Sequence, residues 1–493
     1  MIGKAFFGNL GESMNPVFIK EMRQYFQNRR MLIFMGLLLV AQFICALFFS
    51  SAMTFDADGG EGVTFFLLII FAGAILAVLI CAIGAEQRFA EERSDKELNY
   101  AMLTTLRPSA IIWGKLEGAM VMILCIFSML LPFLTAAYFM RGLSAASLLL
   151  TLYLFPVLVL HTLAGIFAGS FGQKWISVLY FVALGNSAFG FVPFAFMIAE
   201  ELMDSGAEPV FWVMLLVEYA ISFLIGVLLF LLSLAVVSPP KSNRLLPAKA
   251  YLFALPFLSL LLIAPFYIIF AGPDYPPEMF YFIEFLFFAF SVAVLGLVAL
   301  FETPTNSIRV YAKCPRGFFG RRLHFLFSSG FSGSVMLAIL LLPLPVALIP
   351  LGDLPRDEKF VVCGFLCILV SLLGYVILSL VLSWRTRLPL PAWLWAIIFV
   401  VVGNIAPWIP VAINEDTPDS IPVRVVFMLF SQTYGLMEIF ENPREVCFPA
   451  LCVSLAVTGV LFLILLPAIL KAFSLHRRPE TGVKPPTKEM LGK

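Results

Sequence analysis

His161, Glu218 and Glu284 stand inside stretches of sequence that are otherwise apolar. A titratable side chain held in such a stretch is costly; a buried hydrogen bond or a place near the membrane surface would accommodate it, and lining a path for a polar or charged substrate is its functional alternative. Asn186 and Asn404 raise the same question at matched places, each in a Gly-Asn pair eleven residues after a tryptophan, in "WISVLYFVALGN" from Trp175 and "WLWAIIFVVVGN" from Trp393. An amide there either bonds between helices or joins the same path. A second kind of chemistry gathers in "AEERSDKELNYAMLTTLRPSAIIWGKLEGAM", Ala90 to Met120, where six of the seven residues from Glu91 to Glu97 are charged. So dense a charged segment, set between two very apolar ones, is suited to touching a partner. Glu200, Glu201, Asp204 and Glu208 follow a helical spacing that would suit a cation, but a solvated acidic face is the better explanation, and no metal site is expected.

The elements that must carry these residues are membrane helices. The chain is 61% hydrophobic and 13% charged, with 52 Phe and a mean hydropathy of +0.99. Its apolar stretches of about 20 residues match the thickness of a bilayer core, and with no alternating barrel pattern the fold class expected is all-α and polytopic. Twelve spans are expected, near 31–53, 64–85, 116–139, 143–170, 175–198, 211–237, 250–270, 279–301, 325–350, 360–383, 393–413 and 446–470. The first thirty residues hold no signal-peptide core, so the first span is expected to remain as an anchor. The eight cysteines form no CxxC pair, most lie in apolar spans, and they read as small hydrophobes.

With the N-terminus in the cytoplasm, all of the 32 Lys and Arg but Arg141, Arg356, Lys359, Arg424 and Arg444 fall in internal segments. That bias predicts both termini cytoplasmic in a multi-pass protein of the inner (plasma) membrane. The tryptophan-to-asparagine match also suggests a duplication into two six-span halves sharing one orientation. The organisation expected is an N-terminal amphipathic segment (1–30), a first half (31–237) with a cytoplasmic loop at 86–115, a linker (238–249), a second half (250–470) with an external segment at 414–445, and a cytoplasmic tail (471–493).

Two stretches outside the spans have legible local structure. In "NPVFIKEMRQYFQNRR", Asn15 is a good N-cap and Pro16 a good first helical residue. Phe18, Met22, Tyr25 and Phe26 fall on one face with Lys20, Glu21, Arg23 and Gln27 elsewhere, the pattern of a helix lying in the cytoplasmic interface. In the charged run, Ser94 and Glu97 form a capping box, which predicts a short helix from about Asp95 carrying Leu98, Met102 and Leu106 on one side. Pro108 would end it and Ser109 would cap the next helix, leading into the third span. A capped helix standing off the membrane suits a groove on a soluble partner.

Together these two stretches resemble the permease subunits of type-2 ABC exporters, which carry an N-terminal elbow helix with an NP-x-x-x-KE-x-R pattern and a cytoplasmic element ending in I-x-x-GK that contacts the ATPase. The matching elbow residues are Asn15, Pro16, Lys20, Glu21 and Arg23; those of the loop are Glu92, Glu97, Leu98, Leu103, Thr105, Pro108, Ser109, Ile112, Gly114 and Lys115. The family's usual Gly-Thr is Asp95-Lys96 here, and Arg107 intervenes before Pro108. The motifs cover about the first 140 residues. The corresponding loop of the second half, "ETPTNSIRVYAKCPRGFFGRRLHF", lacks them and is basic instead (Arg309, Lys313, Arg316, Arg321, Arg322), which suits lipid headgroups or a second docking site.

The resemblance implies a non-enzymatic transmembrane subunit that couples ATP hydrolysis elsewhere to export. No G-x-x-x-x-G-K-[ST] phosphate loop occurs in the chain, so ATP and Mg would be bound by a separate soluble ATPase and no cofactor by this chain. The other partners expected are the bilayer and a second permease chain, with no nucleic acid. An ion- or proton-coupled secondary transporter is the alternative, since two parallel six-span halves fit it as well. A membrane enzyme with an external carboxylate site is a third reading, disfavoured by three His and scattered acids.

Overall fold

A computed structural model of the chain describes residues 15–52, 61–95, 106–139, 150–174, 176–182, 184, 209–239, 242–270, 277–302, 310, 314–315, 317–344, 356–385, 391–405, 424 and 443–477. Every regular element among them is helical. Among the described residues, eight helices are long and apolar enough to cross a bilayer, or up to nine if one sharply bent pair counts as a span. Composition and helix length together make this a polytopic helical membrane protein. The chain divides into two compact units, Met1–Ser238 and Pro239–Lys493.

In the first unit, α1 (Pro16–Gln27) is a short amphipathic helix, and α2 (Arg29–Ala52) is the first long apolar one. The next helix is α3 (Glu61–Ala77), which passes through a π-helical segment (Val78–Ile83) into α4 (Gly84–Ser94). Then come α5 (Pro108–Phe139), α6 (Leu150–Gly169) and α7 (Pro209–Val237). The main core joins α2, α3 and α5 through Met31, Leu38, Phe65, Ile69, Met122 and Leu130. Glycines let the backbones close up. A Cβ at Gly73 would strike Leu130, one at Gly165 the Ala82 carbonyl in the π segment, and one at Gly169 the backbone of Glu86. Small residues at such crossings are the usual means of packing helices where water supplies no hydrophobic drive.

The second unit contains α8 (Leu246–Phe270), α9 (Pro277–Phe301), α10 (Phe318–Phe327), α11 (Phe331–Leu341), α12 (Arg356–Arg385), α13 (Ala392–Ile405) and α14 (Pro443–Arg477). Helices α12 and α14 meet along two rows of small residues: Cys367, Ser371 and Gly374 against Ala450, Ser454 and Thr458. Ser371 and Ser454 are 2.8 Å apart, and the Thr458 hydroxyl donates to the Val370 carbonyl at 3.2 Å. All eight cysteines are free thiols.

Three local expectations are corrected. Ser94 does not open a helix. It is the last residue of α4, and its hydroxyl donates back to the Glu91 carbonyl at 2.9 Å. The charged residues Glu91–Arg93 thus continue the helix of the second expected span. Ser109 does not cap the next helix either, because α5 already opens at Pro108, where the missing N–H costs nothing; residues 96–105, where the short helix was expected, lie outside the described residues. Thirdly, the span expected at 325–350 is broken at Ser328–Gly330, where α10 and α11 meet at 98°.

Candidate functional site

The residues that carry the sequence motifs converge where α1 packs across α4 and the first turns of α5. Asn15 does two things at once. Its Oδ1 accepts from the Val17 amide at 3.1 Å, capping α1, and its Nδ2 donates to the Ala110 carbonyl of α5 at 2.6 Å. Gly114 and Gly118 form the floor of the contact. A Cβ on Gly114 would lie 2.8 Å from Asn15 Nδ2 and from Val17 Cβ, and one on Gly118 would lie 3.0 Å from Glu21 Cβ. The neighbouring Ile112 is fully buried.

Five charged side chains close the joint. The Lys115 ammonium pairs with Glu21 and, at 2.9 Å, with Glu92 Oε2. Glu92 Oε1 is also 2.7 Å from Lys20 Nζ. On the other side of Glu21, the Arg88 guanidinium lies 3.6 Å from its Oε2 and 3.7 Å above the Tyr25 ring. Lys115 also sits 4.8 Å over the Phe89 ring. The Glu21 and Lys115 side chains are each 4% exposed, against 45% for Lys20. Buried charges of this kind persist only with their donors and acceptors filled, and here each bonds to an element other than its own. Glu21, expected on the polar outer side of the elbow, is therefore turned inward. Arg23 stays on the exposed side. The chemistry of this arrangement is mechanical: it fastens the amphipathic helix to the α4 end and the α5 start, so that the three move together.

Glu92 and Lys115, expected to face a soluble partner, are spent on this internal joint. Ser109 lies in the first turn of α5, and the exposed residues bordering the segment between α4 and α5 are Glu91, Ser94, Asp95 and Arg107. Glu97, Leu98, Leu103 and Thr105 lie outside the described residues, as do Asn186 and the acidic set Glu200, Glu201, Asp204 and Glu208. Asn404 lies on α13.

His161, Glu218 and Glu284 each have a hydrogen-bond partner within their own unit. His161, on α6, bonds through Nδ1 to its own Val157 carbonyl at 2.7 Å, and its backbone carbonyl accepts from Tyr180 at 3.1 Å. Glu218, on α7, accepts from Ser222 one turn along at 3.1 Å. Glu284, on α9 in the second unit, is 1% exposed; the Ser259 hydroxyl bridges its Oε2 at 2.9 Å and the Pro256 carbonyl at 2.8 Å. Among the described residues, no group of three or more His, Cys, Asp or Glu could hold a metal ion.

Sequence reasoning missed Arg88 and Tyr25 at the joint, and also missed a second buried network. In the second unit, Lys249 at the start of α8 is wholly buried. Its ammonium reaches Glu302 Oε1 at 2.6 Å, the Ser328 carbonyl at 2.7 Å and the Gly330 carbonyl at 3.1 Å. Glu302 accepts in addition from the Gly330 amide at 2.8 Å and the Ser334 hydroxyl at 2.6 Å. This pair joins the start of α8, the end of α9 and the corner between α10 and α11. The joint in the first unit likewise gathers the segment before α2, the end of α4 and the start of α5.

Compared with known proteins, the chain matches no family model, no curated protein and no solved structure at a significant level.

Proposed function

We propose that the chain is the transmembrane permease subunit of an ABC exporter, with ATP hydrolysed by a separate soluble subunit and the resulting push delivered through the segment between α4 and α5. The observation that carries this reading is the joint itself. Asn15 and Glu21, from the elbow motif, and Glu92, Gly114 and Lys115, from the loop motif, lie far apart in sequence yet interlock in one buried cluster. A push on the residues between α4 and α5 would pass through Lys115 and Glu92 into α1 and into the long helix α5 together. In this reading both termini and that segment are cytoplasmic, the membrane is the inner (plasma) membrane, and the 12-span organisation in two halves supplies the path.

The test is co-purification with a soluble Walker-type ATPase. Replacing Glu97, Leu98 and Leu103 together by Ala should lower recovery of the ATPase by about tenfold or more, as loss of a few central contacts does, while the permease keeps its own melting temperature. Export by membrane vesicles should stop when ATP is withdrawn. Export sustained by a proton gradient without ATP would overturn the reading.

A further inference from the structure

The corner before α11 is built as firmly as the elbow joint, yet the helix it projects leaves much of its apolar surface uncovered. Gly330 has φ 150°, a backbone conformation open in practice only to glycine. A Cβ on Gly333 would lie 2.6 Å from the Leu326 carbonyl oxygen. The Lys249–Glu302 pair fills the polar groups of the turn, and Asn243 Oδ1 accepts from both the amide and the hydroxyl of Ser329, at 2.8 and 3.0 Å. These devices hold α10 at 98° to α11, which packs into the interior of its unit with Val335, Leu337, Ala338 and Leu341 buried. A helix perpendicular to one that enters an apolar bundle runs along the bundle's end.

Helix α10 is tethered there on one side. Phe325 packs edge-on against Phe473 of α14 at 5.2 Å, four residues before the basic end of that helix at Arg477, and Phe327 packs edge-on with Phe253 of α8, four residues after Lys249. The other side is bare: Phe318 is 70% exposed, Phe319 75% and Leu323 46%. Among them stands exposed Arg322, its guanidinium 4.0 Å above the Phe318 ring. Large apolar side chains interspersed with an arginine that can reach up to phosphate are the composition of a helix seated in a headgroup layer. The charge agrees. The segment from Glu302 to His324 carries Arg309, Lys313, Arg316, Arg321 and Arg322 against one carboxylate, Glu302, which Lys249 already engages.

We propose that α10 is a membrane-surface anchor, seating Phe318, Phe319 and Leu323 among the acyl chains at the boundary and placing its arginines against anionic phospholipid headgroups. The second unit would then be fixed to the bilayer surface by an internal helix, and its hold would depend on the content of acidic lipid.

The experiment is hydrogen–deuterium exchange on the full-length chain in nanodiscs of phosphatidylcholine alone or mixed with phosphatidylglycerol, read on peptides covering 318–327. Exchange should be slower in the anionic discs. Replacing Arg321 and Arg322 by Gln should remove a difference of roughly 25-fold, about fivefold for each basic side chain near an acidic surface. Phe318→Ser with Phe319→Ser should speed exchange in both lipids. Peptides covering 331–341 serve as the control for folding and should exchange alike in every case. Equal exchange of 318–327 in neutral and anionic discs would overturn the proposal. So would slowing that inorganic phosphate alone reproduces in neutral discs, which would make this a free-anion site. Slowing that appears only when a soluble ATPase is added would make α10 a protein-docking helix and overturn it as well.

Discussion

An ammonium group that is 4% exposed can stay charged only while carboxylates compensate it, which makes Lys115 a sensitive probe of the first unit. Lys115→Met strands Glu21 and Glu92 and should destabilise the protein by about 3 kcal/mol or more. Thermal unfolding of the detergent-solubilised chain would measure this, and Glu21→Gln added to Lys115→Met should recover part of the loss. Lys20→Met removes a contact whose lysine is 45% exposed and should cost at most about 1 kcal/mol. Equal effects of the two lysine changes would show that the joint is a surface ornament. The inward turn of Glu21 was legible in principle: Phe18, Glu21 and Tyr25 recur at helical spacing, so the carboxylate interrupts the apolar stripe of α1 instead of lying opposite it. Arg88 was not legible. Its role depends on α4 continuing past the expected end of the second span, and nothing local in the sequence marks how far a helix runs out of a membrane.

At the level of helices, glycine positions separate close approach from mere tolerance. Gly114→Val should force α1 off α5, because the new Cβ would meet Asn15, Val17 and the Phe18 amide within 2.9 Å. Gly36 on α2 has nothing within 4 Å of an added Cβ, so Gly36→Ala should be neutral or stabilise by up to about 1 kcal/mol through helix propensity. Limited proteolysis at the α1 side of the joint should tell the two apart: the first variant is cut faster, and the second is cut as the parent is. Gly330→Ala should cost about 1–3 kcal/mol for its backbone conformation, and more if the Lys249 contacts loosen with it. The α10–α11 corner is where the reading by apolar run length failed. Counting hydrophobicity from 325 to 350 passes straight through "SSG" at Ser328–Gly330, although Ser-Gly is a turn signal and the Lys249–Glu302 partners needed to close the corner lie about 80 and 30 residues away in sequence. The π segment at Val78–Ile83 has no sequence signature of its own, although its Ala82 carbonyl lies where only a glycine, Gly165, leaves room for it.

For the chain as a whole, composition was enough to establish a helical membrane protein, because no soluble core needs so much apolar surface and lipid leaves the backbone few choices. The number of crossings is a finer matter. Eight or nine helices qualify among the described residues, twelve spans are expected from the sequence, and the number of crossings ahead of each loop decides on which side it lies. Twelve crossings at the expected places put both termini on one side and leave all but five of the 32 Lys and Arg on that side. An odd number of crossings ahead of residue 309 would send the 309–322 cluster across the membrane. A fluorescent protein fused ahead of Met1 and another fused after Lys493 should therefore both fluoresce in a bacterial host, while alkaline phosphatase inserted next to Arg141 or within 414–445 should be active. A dark C-terminal fusion beside a fluorescent N-terminal one would show an odd number of crossings, and would remove the positive-inside argument for the basic C-terminal tail.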